Sequence, residues 1–194
     1  MSPSSLIRPL RAADRDGVFR ILENTGNFTL DEVTIALELI DEWLEIGEES
    51  GYLTYVMESP DDGAGVLGYV CFGPTPLTES THDLYWIAVD KSKHRGGVGK
   101  RLLKFAEEEI VRRGGKMLLI ETSSQETYGG TVQFYERTGY MVAGKIEDYY
   151  RRGDHKLIFA KKLAVSIPDD VATPPTADLE SVQPRELAET THAP

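Results

Sequence analysis

Between residues 83 and 122 the chain changes from a strand pattern to a helix pattern and back, which strongly limits its possible folds. The segment DLYWIAV (83–89) is typical of a strand, and a glycine-rich stretch follows it. A helical stripe comes next, made of Val98, Leu102, Phe105, Ala106 and Ile110. The apolar segment KMLLIET (116–122) then predicts a central strand buried on both faces. Strands joined through a helix are normally parallel, so we expect one parallel crossover here.

The remaining segments extend this unit into a mixed sheet covered by helices. LIRPL (6–10) predicts an opening strand, and residues 14–23 have helical spacing. A clearer helix begins at Thr29, with an apolar stripe of Val33, Ala36, Leu37, Ile40, Trp43 and Leu44. Two hairpins are predicted, GYLTYVMES with GVLGYVCFG and YMVAGKIEDYY with HKLIFAKKL, and TVQFYERTG predicts a short helix between the crossover and the second hairpin. The expected fold is therefore α/β, with a mixed sheet of about seven strands and about four helices.

Composition narrows the functional classes. The formal net charge is −11 and the pI is near 4.8, which argues against a general nucleic-acid-binding protein. The single cysteine, Cys71, cannot form an internal disulfide and is expected to be a small buried side chain. No apolar run reaches membrane-spanning length and the N-terminus lacks the pattern of a secretory signal. We therefore expect a cytoplasmic protein that neither spans a membrane nor binds nucleic acid.

The domain organisation changes after Leu163. Residues 164–194 hold five of the ten prolines, six acidic residues and one basic residue, Arg185. Such a composition buries too little apolar surface to offset the entropy of ordering. We expect a single folded domain at 1–163 and an acidic, proline-rich disordered tail at 164–194.

The glycine-rich stretch HRGGVGK (94–100) has the composition of an anion site. Glycines let backbone N–H groups approach a bulky anion, and the helix that starts there adds its positive end. Neither a nucleotide-triphosphate loop nor a dinucleotide loop fits, because glycine is absent at His94 and at Leu102. A plain strand-to-helix connection with solvated basic residues is the alternative.

Residues 84–140 resemble the core of the GNAT superfamily of N-acetyltransferases. The signature of that family is Q/R-x-x-G-x-G/A after a strand, and here the stretch HRGGVG (94–99) occupies it, with histidine in first place. FYERTGY (134–140) resembles the second landmark of the family, an aromatic–tyrosine pair before a glycine. The similarity extends in element order over about residues 5–163.

The resemblance implies acetyl-CoA as the co-substrate and assigns residues to it. The pyrophosphate would lie on the glycine turn, at His94, Arg95, Gly96, Gly97, Val98, Gly99 and Lys100. The pantetheine arm would bind the strand backbone at Ile87, Ala88 and Val89, as an added strand does. Tyr128 occupies a position that often contacts the arm in the family.

The resemblance also implies catalytic roles. Tyr135 matches the usual general acid of the family, a phenol that protonates the departing thiolate; its alternative is aromatic packing. Glu121, at the end of the apolar strand, is the first candidate for the general base, and capping of the next loop is its alternative. Asp83, Glu79, Asp148, His82 and His155 are weaker candidates. No cluster has metal-ligand spacing, so no metal is expected.

The acceptor is expected to be an amine of a small molecule, amino acid or peptide. Residues 29–50 hold eight acidic residues and no basic one, which would attract a cationic amine or merely form a solvated helix face. IEDYYRRGDHK (146–156) would line the acceptor pocket or form an exposed turn. The alternative function is a CoA-binding sensor or interaction module that has lost catalysis. Dimers are common in the family, so a homodimer is compatible with the resemblance.

Overall fold

The computed structural model describes residues 7–26, 28–59, 65–93, 96–125 and 129–164. They form a seven-stranded sheet with the order β1-β2-β3-β4-β5-β7-β6. The strands are β1 (Ile7–Pro9), β2 (Leu53–Glu58), β3 (Val66–Pro74), β4 (Thr81–Val89), β5 (Met117–Ser123), β6 (Met141–Arg151) and β7 (Asp154–Lys162). The helices are α1 (Arg15–Thr25), α2 (Leu30–Ile46), α3 (Val98–Arg112) and α4 (Gly129–Arg137).

The predicted element order and the number of strands and helices are confirmed. β4 and β5 are the parallel pair, joined through α3, and the other neighbours are antiparallel. His94, Arg95 and Tyr128 lie outside the described residues, as does the tail from residue 165 onward. The expectation of disorder in the tail therefore stays a prediction.

The local sequence explains where α2 begins. The Thr29 hydroxyl accepts the backbone N–H of Glu32, and the Glu32 carboxylate accepts the N–H of Thr29. This reciprocal arrangement satisfies two donors that the first helical turn leaves unpaired. The expected stripe is buried at Val33, Ala36, Ile40 and Trp43, and half-buried at Leu37 and Leu44.

The helices cover opposite faces of the sheet. Phe72 of β3 stacks near Tyr55, whose ring meets Phe105 of α3. Cys71 precedes Phe72 and must point to the other face, together with its β4 partner Trp86. Trp86 contacts Phe28, which lies just before α2. One face therefore carries α3, and the other carries α1 and α2. Cys71 is buried, as expected.

The prediction that β5 is buried on both faces is wrong. β5 lies inside the sheet between β4 and β7, but its burial alternates: Leu118, Ile120 and Thr122 are buried, whereas Glu121 is exposed. The face that points away from α3 is only half covered, because α1 and α2 pack over the β2–β4 half. A continuously apolar segment therefore does not require burial on both faces.

Candidate active site

β4 and β5 separate part of the way along their length. Their parallel register runs from Thr81↔Met117 to Leu84↔Ile120 and ends there. β4 continues to Val89 and β5 to Ser123, so the two strands enclose a wedge that opens toward their carboxyl ends. The opposite edge of β4 stays paired, because Ile87 and Ala88 are partners of Val70 and Tyr69 in β3. We call this gap the wedge.

A bulge in β4 lies where the wedge begins. Cys71 is the partner of Trp86 and Phe72 is the partner of Leu84, so Tyr85 is the additional residue in β4. A bulge bends its strand and increases the local twist. The distortion immediately follows Leu84, the last β4 residue paired with β5, and gives a local reason for the separation of the strands.

The glycine turn leads from β4 into the start of α3. Gly97 has φ +71° and precedes the first residue of the helix, Val98. The first turn contains no acidic residue and carries Lys100 and Arg101 instead, a charge arrangement that disfavours an isolated helix. Neither side chain has an ion-pair partner among the described residues. Unpaired helix donors and two available cations suit an anionic ligand.

The C-terminal part of α4 meets the glycine turn and the end of β4. A Cβ atom on Gly99 would lie 3.5 Å from Cγ2 of Val89 and 3.7 Å from the ring of Phe134. The fold therefore brings together the end of β4, the turn and the FYERTGY helix, which are separate in the sequence. The sequence motifs gave no separate role to Phe134.

Tyr135 lies inside an aromatic cluster at the base of α4. It is 4% exposed, and its ring centroid lies 5.4 to 5.9 Å from those of Phe134, Phe159 and Tyr140. Burial raises the pKa of the Tyr135 phenol, so the hydroxyl stays protonated at neutral pH. Its hydroxyl has no hydrogen-bond partner among the described residues. The packing and the acid role predicted from the sequence are thus compatible.

A partly buried ionic group holds the end of α4 in place. The Tyr140 hydroxyl donates to Glu107 of α3 at 2.8 Å, and Nζ of Lys161 donates to both Glu107 oxygens at 2.8 and 2.9 Å. Lys161 also donates to the carbonyl of Thr138 at 2.9 Å. This group ties β7 and α3 to the residues just after α4, next to Tyr135. Nothing in the sequence pattern had assigned a role to Glu107.

Glu121 lies at the wedge but is already paired. It is the first β5 residue past the last β4 pair, and it points away from α3, on the face that carries Trp86. Its carboxylate forms an ion pair with Nζ of Lys156, which lies 4.6 Å from the centre of the Tyr149 ring. Burial works to lower the pKa of Lys156, but its hydrogen bond to Glu121 and the negative charge there outweigh burial and raise it. Glu121 therefore lies at the wedge, where a base is needed, and the positive charge of Lys156 balances its negative charge.

The weaker base candidates lie elsewhere or have other partners. His82 is buried near the start of β4, and Asp83 accepts a hydrogen bond from Thr75 at 2.7 Å. Nδ1 of His155 accepts the backbone N–H of Asp148 at 2.9 Å. Glu79 precedes β4, away from the wedge.

Asp154 is a polar residue that the sequence analysis placed in an exposed turn or a pocket lining. It is 6% exposed, and its carboxylate accepts hydrogen bonds from Ser123 and from Gln125 at 2.5 and 2.6 Å. Arg152 and Gly153 are exposed, as expected of a turn. Asp154 braces the end of β5 against the final hairpin, and so helps to fix the far side of the wedge.

The part of the chain that the structure describes contains no group of three or more His, Cys, Asp or Glu side chains arranged for a metal ion. Within the same residues, no helix is both long and apolar enough to cross a membrane.

Comparison with known proteins identifies the family. The family model of the acetyltransferase (GNAT) domain matches residues 50–142. The structure superposes on a GNAT-family protein of Desulfovibrio desulfuricans with a TM-score of 0.77 and 39% sequence identity, over 81% of this chain and 98% of that one. The chain belongs to the GNAT acetyltransferase family.

Two further similarities are weaker. The present chain is 30% identical over 94 residues to the S-(2-succino)cysteine N-acetyltransferase of Bacillus subtilis; the match covers 47% of this chain and 56% of that relative. The alignment thus spans just over half the length of the curated relative. An aminoglycoside 6'-N-acetyltransferase complexed with coenzyme A shares the fold, with a TM-score of 0.63 and 17% identity over 84% of this chain and 99% of the other.

Proposed function

We propose that this GNAT protein transfers the acetyl group of acetyl-CoA to the nitrogen of an amine, with both substrates bound at the wedge. The observation that carries the proposal is the convergence of the β4–β5 wedge, the glycine turn and Tyr135. A wedge alone would leave a strand edge to be covered, and a glycine turn alone would only connect two elements. Together they suit a long ligand with an anionic end and a reactive end.

The residues predicted from the family motifs fit such a ligand. Backbone groups of Ile87, Ala88 and Val89 would hold the pantetheine arm beside the wedge, and Gly96 to Lys100 would hold the pyrophosphate at the start of α3. A structure with this fold was solved with coenzyme A, which supports the assignment. His94, Arg95 and Tyr128 remain predictions from the sequence.

In the proposed reaction, the thioester supplies an acetyl carbonyl and a thiol leaving group. The protein then needs to supply three functions: stabilisation of the carbonyl oxygen, a proton donor and a proton acceptor. A backbone N–H near the end of β4 would stabilise the charge that develops on the carbonyl oxygen when the amine attacks. Tyr135 would donate its phenolic proton to the thiolate as the carbon–sulfur bond breaks, and Glu121 or water would accept the proton lost by the amine.

The burial of Tyr135 has two opposing effects on this role. A raised pKa keeps the phenol protonated, which a proton donor requires, but it also makes the phenol a weaker acid. The same apolar surroundings would destabilise an unprotonated thiolate, because desolvation disfavours charge on both groups. Proton transfer therefore neutralises the thiolate at the cost of a buried phenolate, which is then reprotonated by solvent.

The experiment is thiol release from acetyl-CoA with a panel of amines, for the parent chain and for Tyr135→Phe. Phenylalanine keeps the ring packing, so we expect an intact fold and a kcat lower by about 10²- to 10⁴-fold. The KM for acetyl-CoA should change little. Tight acetyl-CoA binding without transfer to any amine would contradict the proposal and favour the binding-module alternative.

A further inference from the structure

Four aromatic side chains pack on the face of the sheet opposite α3, beside the point where the wedge begins. Tyr85 and Trp86 are the first β4 residues past the last pair with β5. Tyr52 packs edge-on against Tyr85 and Phe28 packs edge-on against Trp86, each with ring centroids 5.2 Å apart. All four are half-buried, so they form a surface and not part of the closed core. We call this set the aromatic wall.

The polar groups of the aromatic wall are not used within the protein. Among the described residues, no hydrogen bond is made by the hydroxyl groups of Tyr52 and Tyr85 or by Nε1 of Trp86. Nε1 of the other tryptophan, Trp43, in contrast donates to the carbonyl of Leu10. Because the three side chains are half-buried, these polar groups are available to solvent or to a bound molecule.

Two carboxylates act on the tyrosines of the aromatic wall. Burial raises the pKa of Tyr52, and the carboxylate of Glu42 in α2 raises it further. Burial likewise raises the pKa of Tyr85 to about 12, with a further contribution from Asp83. Both carboxylates disfavour a phenolate because like charges repel.

The opposite side of the wedge differs in charge. There Lys156 lies over the Tyr149 ring and pairs with Glu121, so both the ring and the carboxylate already have a cation. The other cation–π contact within the described residues joins Lys161 to Tyr140, outside the wall. Among the described residues, a cation–π contact and an ion pair thus lie on one side of the wedge, and no cation–π contact is made by the four rings of the aromatic wall.

We propose that the aromatic wall binds a cationic group of the acceptor, so that the substrate class is an amine carrying a second, positively charged nitrogen. This inference rests on the proposed acetyl transfer at the wedge. The attacking nitrogen must be neutral, so the bound cation has to be a different group of the same molecule. Aromatic faces and nearby carboxylates favour alkylammonium and guanidinium groups over neutral or anionic ones.

The first test compares two acceptors of matched length, 1,4-diaminobutane and n-butylamine. We expect kcat/KM to favour the diamine by at least about fivefold, after correction for its two reactive ends and for the neutral fraction of each amine. Trp86→Leu and Tyr85→Leu should abolish most of this preference, whereas Tyr85→Phe, which keeps the ring, should retain it. Phe105→Leu, at a half-buried ring on the α3 face of the sheet, is the matched control and should leave the preference unchanged.

The second test measures binding without turnover. The chain has two tryptophans, so Trp43→Phe leaves Trp86 as the only indole and as a fluorescent reporter of the wall. In the presence of CoA, 1,4-diaminobutane should give a saturable change in its emission, and n-butylamine at equal concentration should give a much smaller one. Circular dichroism checks that the variant is folded.

The outcomes separate this inference from the proposed function. Acetyl transfer to amines with no preference for the diamine would overturn the inference and leave the transferase function standing. A saturable fluorescence change without transfer would support the wall and contradict the transferase. A preference that survives Trp86→Leu and Tyr85→Leu, or the absence of both preference and binding, would overturn the inference.

Discussion

Two glycines of the turn meet different requirements. Gly97 has φ +71°, and a Cβ atom there would contact nothing within 4 Å, so its need for glycine is conformational. Gly99 has no such backbone requirement, but its Cβ would point between Val89 and Phe134. Gly97 is therefore required by its backbone conformation and Gly99 by the space beside it, a difference that the sequence alone does not show.

Substitutions at these glycines should separate folding from binding. We expect Gly97→Ala to destabilise the fold by about 1–2 kcal/mol, because an L-residue is strained in the left-handed region, and to preserve most acetyl-CoA affinity. Gly99→Leu should weaken acetyl-CoA binding at least tenfold, about 1.4 kcal/mol or more, since its side chain would occupy the gap beside Val89. Calorimetric titration and thermal unfolding check both; unchanged affinity in Gly99→Leu would mean that the turn does not hold the ligand.

His82 is a buried histidine remote from the wedge. It is 7% exposed, and its Nδ1 has no hydrogen-bond partner among the described residues. His82 lies beside Gly115. It lines a cavity together with Glu48 and with Arg113, the residue after α3. Burial lowers its pKa, and Arg113 adds to this, while hydrogen bonding to Ser80 and the charge of Asp83 partly offset it.

This burial predicts a pH-dependent stability. The pKa of His82 is lower in the folded chain than in the unfolded chain. The titration of His82 therefore leaves the free energy of unfolding unchanged above about pH 6.5, and lowers it as the pH drops from there through the folded pKa. The slope from one such group is at most about 1.4 kcal/mol per pH unit. Urea unfolding at pH 7.5 and 5.5 should show a smaller pH effect in His82→Gln than in the parent. His155→Gln is the control, and equal pH effects in parent and His82→Gln would contradict the assignment.

At the scale of elements, α4 is positioned by its neighbours more than by its own sequence. It has nine residues, and its C-terminal end is held by the hydrogen bonds that Lys161 and Tyr140 make with Glu107. A helix this short is marginal in isolation. The position of Tyr135, which packs against Tyr140 and Phe159, therefore depends on α3 and β7.

Removing the ammonium group of Lys161, which pairs with Glu107, should affect catalysis as well as stability. We expect Lys161→Met to lower the free energy of unfolding by about 1–2 kcal/mol, because the partly buried Glu107 loses its counter-ion. The kcat should fall while the KM for acetyl-CoA changes little, since the displaced group adjoins Tyr135 and not the glycine turn. Lys162→Met, at an exposed neighbouring position, is the matched control. An equal effect of both variants on kcat would rule out a positioning role.

At the scale of the whole molecule, the residue after β7 is attached to the middle of the sheet. Leu163 is 8% exposed, and its backbone N–H donates to the carbonyl of Lys116 at 2.8 Å, beside the start of β5. Burial of this side chain and this hydrogen bond attach the residue that follows β7 to the sheet. The predicted domain boundary after residue 163 is consistent with that attachment.

A chain ending at Ala164 should therefore fold like the full chain. We expect its midpoint of thermal unfolding to stay within about 2 °C, since the composition of residues 165–194 offers little apolar surface to bury. Leu163→Ala in the full chain should cost about 2 kcal/mol, the low end for a buried leucine. A large loss of stability on truncation would show that the tail contributes to the fold and would contradict the predicted boundary.

The sequence by itself determined the element order, the parallel crossover and the family. These follow from local patterns: apolar residues at the spacing of a strand or a helix, and two motifs within residues 94–140. Each pattern lies within a short segment, so it can be recognised without knowing what the segment packs against.

Only the tertiary structure decided which residues share the wedge. The bulge at Tyr85, the exposure of Glu121 on one face of β5, and the burial of Asp154 depend on strand register and on which face the helices cover. Register and coverage are set by contacts between segments far apart in sequence, which local spacing does not encode. For the same reason the aromatic wall, whose members come from residues 28, 52, 85 and 86, became visible only in the folded chain.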